Sequence, residues 1–127
     1  FLIEKIIASL PTPVEMYHVH DGEQALYFIK GNRQQYDFPT PDLILLDLNI
    51  PKRTGHEVLK AIKSDRTVCH IPVVIMTSSI IRDEMKRVYQ NYAAGYICKS
   101  FDVNIMTQAL THLAYYWSTV VMLPNRN

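Results

Sequence analysis

Apolar and polar positions along this chain alternate between helical and strand periods. Residues 1–10, FLIEKIIASL, space Leu2, Ile3, Ile6, Ile7 and Leu10 onto one helical face. Pro11 and Pro13 end that helix. Residues 14–20, VEMYHVH, alternate and are rich in β-formers, which predicts a strand. Asp21 and Gly22 turn the chain, and Asp21 is placed to cap a helix that shows Ala25, Leu26, Phe28 and Ile29 before Gly31 stops it. Residues 31–41 form a polar connection with no apolar period. Then Leu43, Ile44, Leu45 and Leu46 run unbroken into Asp47, a pattern that suits a strand buried on both faces. Pro51 and Gly55 close the loop that follows. A helix over about 55–65 turns Val58, Leu59 and Ile62 inward, and residues 71–79, IPVVIMTSS, make another buried strand that ends in hydroxyls. A charged helix over 82–93, a short strand over 95–99 ending on Lys99, and one long helix from Phe101 to about Met122 complete the chain, with Pro124 beyond.

Strands and helices in alternation imply βαβ units, a parallel sheet and right-handed crossovers. A sheet covered on both faces does not normally begin with an orphan helix, so a strand is expected ahead of Phe1. Three of the strands end in polar or reactive side chains: Asp47, Thr77 with Ser78, and Lys99. In a parallel sheet these ends share one edge, where open α/β folds bind ligands. A carboxylate, a hydroxyl and an ammonium on one edge permit phosphoryl transfer, with the main-chain carbonyl of Asn49 placed to help hold Mg²⁺.

Composition narrows the function further. Thirteen basic and twelve acidic residues give a net charge of +1, which offers no electrostatic footprint for nucleic acid. No apolar run approaches the ~20 residues of a membrane helix. Cys69 and Cys98 are the only cysteines; without metal spacing they read as buried free thiols of a reducing compartment, which points to the cytoplasm.

With these residues in view, the chain resembles the receiver domain of two-component response regulators. Within that family, LILLDLNIPKRTGHEVLKAIK and YYWSTVVMLP look most like single-domain regulators associated with cyanobacterial phytochromes. The resemblance implies a flavodoxin-like three-layer α/β sandwich with a central parallel sheet in the order 2-1-3-4-5, its first strand missing before Phe1. It implies that residues 1–127 are a single receiver domain, N-terminally incomplete. Asp47 would be the phosphoacceptor and, with the Asn49 carbonyl, a ligand of Mg²⁺, the remaining acidic pair lying upstream of Phe1. Lys99 would pair with the phosphoryl group, Thr77 would be the switch hydroxyl, Tyr96 the aromatic that follows it, and Ser78 would offer its backbone amide. Ser100 departs from the family, which usually carries a cis proline there; a non-proline cis bond costs about 2.5–4 kcal/mol, so either packing offsets that cost or the loop differs.

The function so implied is non-enzymatic: a cytoplasmic receiver that takes phosphate from a sensor histidine kinase, of the phytochrome type by the same resemblance, and switches protein contacts. Two other readings compete. A pseudo-receiver would dock or dimerise without phosphorylation. An aspartyl-nucleophile phosphatase would want a second carboxylate two residues after Asp47, where Asn49 stands. His18 and His20 share a strand face but lack a third metal ligand, and His56, which after Gly55 could stand near the site, reads instead as the start of a solvated helix face. Leu110, Leu113, Ala114, Trp117, Val120 and Val121, with Tyr115 and Tyr116 between them, exceed what one helix face can bury. That excess points to a homodimer through the end of the last helix.

Overall fold

In the computed structural model, which describes residues 2–11, 14–29, 40–50 and 52–124, the apolar runs become three parallel strands and the periodic segments five α-helices. The helices are α1 (Leu2–Ala8), α2 (Gly22–Ile29), α3 (Gly55–Ser64), α4 (Arg82–Gln90) and α5 (Val103–Tyr115); the strands are β1 (Ile44–Asp47), β2 (Val73–Thr77) and β3 (Gly95–Cys98). The sheet runs β1-β2-β3, with Asp47 beside Met76 and Thr77 beside Cys98. This is the 3-4-5 portion of the expected order. The chain divides into two units, residues 18–98 and residues 1–17 with 99–127.

In the unit of residues 18–98, Leu46, Val73 and Ile75 turn into one core with Val58, Leu59 and Ile62 of α3 and Ala25 and Ile29 of α2. Val74 and Met76, on the other face of β2, are buried too, so this strand has no wet side. Each large aliphatic buried here contributes about 1.5–3 kcal/mol over leaving it in water. Helix α3 is fixed at its start by a capping box: Thr54 accepts from the Glu57 amide at 3.2 Å, and Glu57 accepts from the Thr54 amide at 3.3 Å. Asp21 caps α2 as expected, accepting from the Gln24 amide at 2.8 Å. In the unit of residues 1–17 and 99–127, α1 packs on α5; Ile6, Ile7, Met106 and Leu110 are its buried residues on these helices.

Four expectations need correction. Residues 14–20 form no strand: none of the strands among the described residues pairs with them, and Val14, Met16 and Tyr17 are exposed instead of facing a core. His18 and His20 are therefore not on a sheet face; they are exposed, with rings edge-on at 4.7 Å. The last α-helix stops at Tyr115 and closes with a π-turn over Tyr116–Val120, sealed by the Val121 amide on the Tyr116 carbonyl at 2.9 Å. The β-branched run Thr119-Val120-Val121 is a poor α-helix former. The cysteines are free but exposed, Cys69 in a turn and Cys98 at a strand end. The connection expected over 31–41 lies, up to residue 39, outside the described residues.

Candidate functional site

Asp47 is the last residue of β1, half-buried, and its Oδ1 accepts a hydrogen bond from the Asn49 amide at 2.9 Å. That turn fixes the carboxylate where the strand gives way to its loop. The loop then returns onto the strand. The Gly55 amide donates to the Leu48 carbonyl at 3.1 Å, and a Cβ at Gly55 would stand 2.6 Å from the Asp47 carbonyl oxygen and 2.5 Å from Leu48 Cα. Only glycine lets α3 begin this close to the acceptor strand. Lys52 in the loop holds a left-handed φ of 70° and pairs with Asp21 at 3.5 Å.

Thr77 ends β2 and is fully buried, the one polar side chain in the core of the described residues. Its hydroxyl donates to the Ser79 carbonyl at 3.2 Å. Ser78 is exposed. Tyr96, half-buried on β3 opposite Ile75, places its hydroxyl 3.5 Å from the same Ser79 carbonyl and 3.4 Å from Glu84 Oε1. Burial pushes the Tyr96 phenol above its ordinary value of 10.0 and the Glu84 charge adds to this, while the Ile81 amide and the Thr77 hydroxyl oppose it.

The structure thus brings Asp47, Asn49, Thr77 and Ser78 to the carboxyl ends of adjacent strands of one unit, with Tyr96 earlier on β3 reaching the Ser79 carbonyl through its hydroxyl. Lys99 is the first residue beyond β3, half-buried, and belongs to the other unit. Ser100 resolves its departure simply: no peptide among the described residues is cis, and the Ser100 N–H, which a proline would lack, donates to Met106 Sδ at 3.2 Å. The Asp47 carboxylate and the Asn49 main-chain carbonyl are the groups here that would hold a divalent cation. These suit part of the shell of a Mg²⁺ ion, which commonly takes few protein ligands and keeps water. Among the described residues no group of three His, Cys, Asp or Glu completes a metal centre.

Two functional neighbours escaped the sequence reading. His56 is not on a solvated face: its side chain is 16% exposed and its Nε2 lies 3.6 Å from Glu84 Oε2. Glu84, in the first turn of a charged helix, gave no signal by period, because its contacts are with Tyr96 of the following strand and His56 of an earlier helix.

This geometry defines a class, and the comparisons agree with it. The family model of the response regulator receiver domain matches residues 2–111, and the chain belongs to that family. Its fold is the flavodoxin-like receiver fold, a parallel sheet with surrounding helices. Among its relatives, the chain is 31% identical over 123 residues to the response regulator Rcp1 of Synechocystis sp., covering 97% of this chain and 84% of Rcp1. It is 36% identical to RcpA, a cyanobacterial phytochrome response regulator known in its phosphorylated form, with a TM-score of 0.89 over 98% of this chain and 89% of RcpA. The Mn²⁺-bound form of Rcp1 is 31% identical with a TM-score of 0.86, covering 97% of this chain and 88% of that one. The resemblance to phytochrome-associated regulators is borne out. Among the described residues no helix is long and apolar enough to cross a membrane.

Proposed function

We propose that residues 1–127 act as one cytoplasmic phospho-accepting receiver, with Asp47 as the acceptor and a sensor histidine kinase of the phytochrome type as the donor. The observation that carries this reading is the alignment of Asp47 and Thr77 at the carboxyl ends of paired strands, with Asp47 oriented by the Asn49 amide. An Asp47 carboxylate oxygen attacks the phosphorus of a phosphohistidine. The P–N bond breaks, the imidazole nitrogen keeps the electron pair and takes up a proton, and an acyl phosphate forms. Mg²⁺, the proposed cofactor, would be held by the Asp47 carboxylate and the Asn49 carbonyl and would neutralise phosphoryl oxygens. Lys99 pairs with a phosphoryl oxygen, the Ser78 amide donates to another, and Thr77 turns from Ser79 toward the new charge, with Tyr96 following.

The chain is a signalling module, so its output is a changed set of protein contacts. Tyr115, Tyr116, Val120 and Met122, all exposed, support a homodimer through the end of the last helix. Light scattering over a range of concentrations should show mass rising toward that of two chains; a constant single-chain mass removes the dimer. For the acceptor, treatment with acetyl phosphate and Mg²⁺ should leave a phosphoryl group that hydroxylamine removes, as it does from acyl phosphates. A hydroxylamine-stable group would place the modification on a hydroxyl instead. A pseudo-receiver would take up no phosphoryl group.

A further inference from the structure

Two hydroxyls on different strands meet at a single carbonyl. Thr77 Oγ1 donates to the Ser79 carbonyl, and the Tyr96 hydroxyl lies between that oxygen and Glu84 Oε1. A phenol has one proton to donate, so the Ser79 carbonyl and Glu84 compete for it. Hydrogen bonds to an ionised acceptor are roughly twice as strong as neutral ones, which favours the carboxylate while Thr77 already serves the carbonyl. Glu84 is itself held from the other side. Its Oε2 faces His56 Nε2 at 3.6 Å, and His56 Nδ1 is buried with no hydrogen-bond partner among the described residues. The polar contact of the His56 ring is therefore made to Glu84. His56 follows Gly55, where an added Cβ would stand 2.6 Å from the Asp47 carbonyl oxygen, so the start of α3 lies close between the acceptor strand and the group that holds Tyr96.

We propose that Glu84, fixed by His56, is a positioning residue for Tyr96: it draws the phenol's proton from the Ser79 carbonyl, 3.5 Å away, for as long as Thr77 also donates to that carbonyl. This rests on the reading of Thr77 and Tyr96 as the switching pair. When Thr77 turns away, the carbonyl loses a donor and the balance for the Tyr96 proton tips toward it. Glu84 and His56 thereby set how much of the population switches before any phosphoryl group arrives.

The test uses the full chain with ¹³C in its tyrosine rings, the Tyr96 resonance being identified by its loss in Tyr96→Phe. In the unphosphorylated protein, Glu84→Ala should move that resonance toward the position wild type reaches with acetyl phosphate and Mg²⁺, a change of about fivefold in the ratio of the two Tyr96 positions. Glu84→Gln, which keeps the side chain's shape, should move it less. His56→Leu should move it the same way and add nothing on top of Glu84→Ala. An unmoved Tyr96 resonance in both Glu84 variants overturns the proposal, as does a His56→Leu shift that persists in full beside Glu84→Ala. Should wild type accept no phosphoryl group, the function reading fails by itself, while the resonance of the unphosphorylated variants still decides the role of Glu84.

Discussion

Gly55→Ala tests how closely the helix after the acceptor strand must pack. The new methyl would sit 2.5 Å from Leu48 Cα and 2.6 Å from the Asp47 carbonyl oxygen, both backbone atoms that no rotamer change can remove. Ordinary contact begins near 3.4 Å, so α3 must retreat from β1 by roughly 0.9 Å. Overpacking of this kind costs about 1–3 kcal/mol. Alanine's better helix propensity returns up to about 1 kcal/mol in a helix interior and less at a first helical position. The net expectation is a loss of about 1–2 kcal/mol, which for a domain of this size lowers Tm by roughly 3–8 °C. Since the retreat displaces the Asp47 loop, the rate of phosphoryl uptake should fall about tenfold, within the range that a misplacement near 1 Å produces. Gly95→Ala is the internal control. A methyl there meets Val74 Cγ1 at 3.5 Å, ordinary contact, so both stability and uptake should stay near wild type. Urea melts followed by circular dichroism give the first quantity and intact mass over time the second. Equal stability and equal uptake for Gly55→Ala and Gly95→Ala would refute the reasoning.

Three further outcomes follow from local geometry. Thr54→Ala removes the Thr54 half of the capping box and should cost about 1 kcal/mol in a urea melt. Tyr92 has a left-handed φ of 70° inside a Schellman closure of α4, with the Ala93 amide on the Val88 carbonyl at 3.0 Å; Tyr92→Gly should stabilise by about 0.5–1 kcal/mol in the same assay. The Gln24 amide holds the Asp21 carboxyl below its ordinary 3.8, and the Thr54 amide holds Glu57 below 4.5. Between the folded and ordinary values the unfolded chain carries more protons, so stability is complete above those ordinary values and is lost as pH falls through the folded ones. Asp21→Asn with Glu57→Gln should flatten the acid limb of stability against pH, read as urea midpoints.

The parts of the fold that rest on one element's own pattern were legible in the sequence. The apolar run into Asp47 and the β-branched run into Thr77 are each buried strands because their residues have no polar face to show. Residues 14–20 have as good a strand pattern, yet pairing belongs to the neighbour as much as to the segment, and the pattern cannot supply one. The last helix runs nearly as far as its period suggests, to Val120, but its final five residues wind as a π-helix, a change of winding that period alone does not show. At the site, strand ends found Asp47 and Thr77. His56 and Glu84 meet only through the crossing of two helix starts, which leaves no period, spacing or motif to read.

Intact mass of the full-length protein with acetyl phosphate and Mg²⁺, beside Asp47→Asn, tests the central claim most directly. The account predicts a gain of one phosphoryl group in wild type that is lost in the variant and on chelation of the metal. Uptake that survives Asp47→Asn, or no uptake by wild type at all, would contradict it.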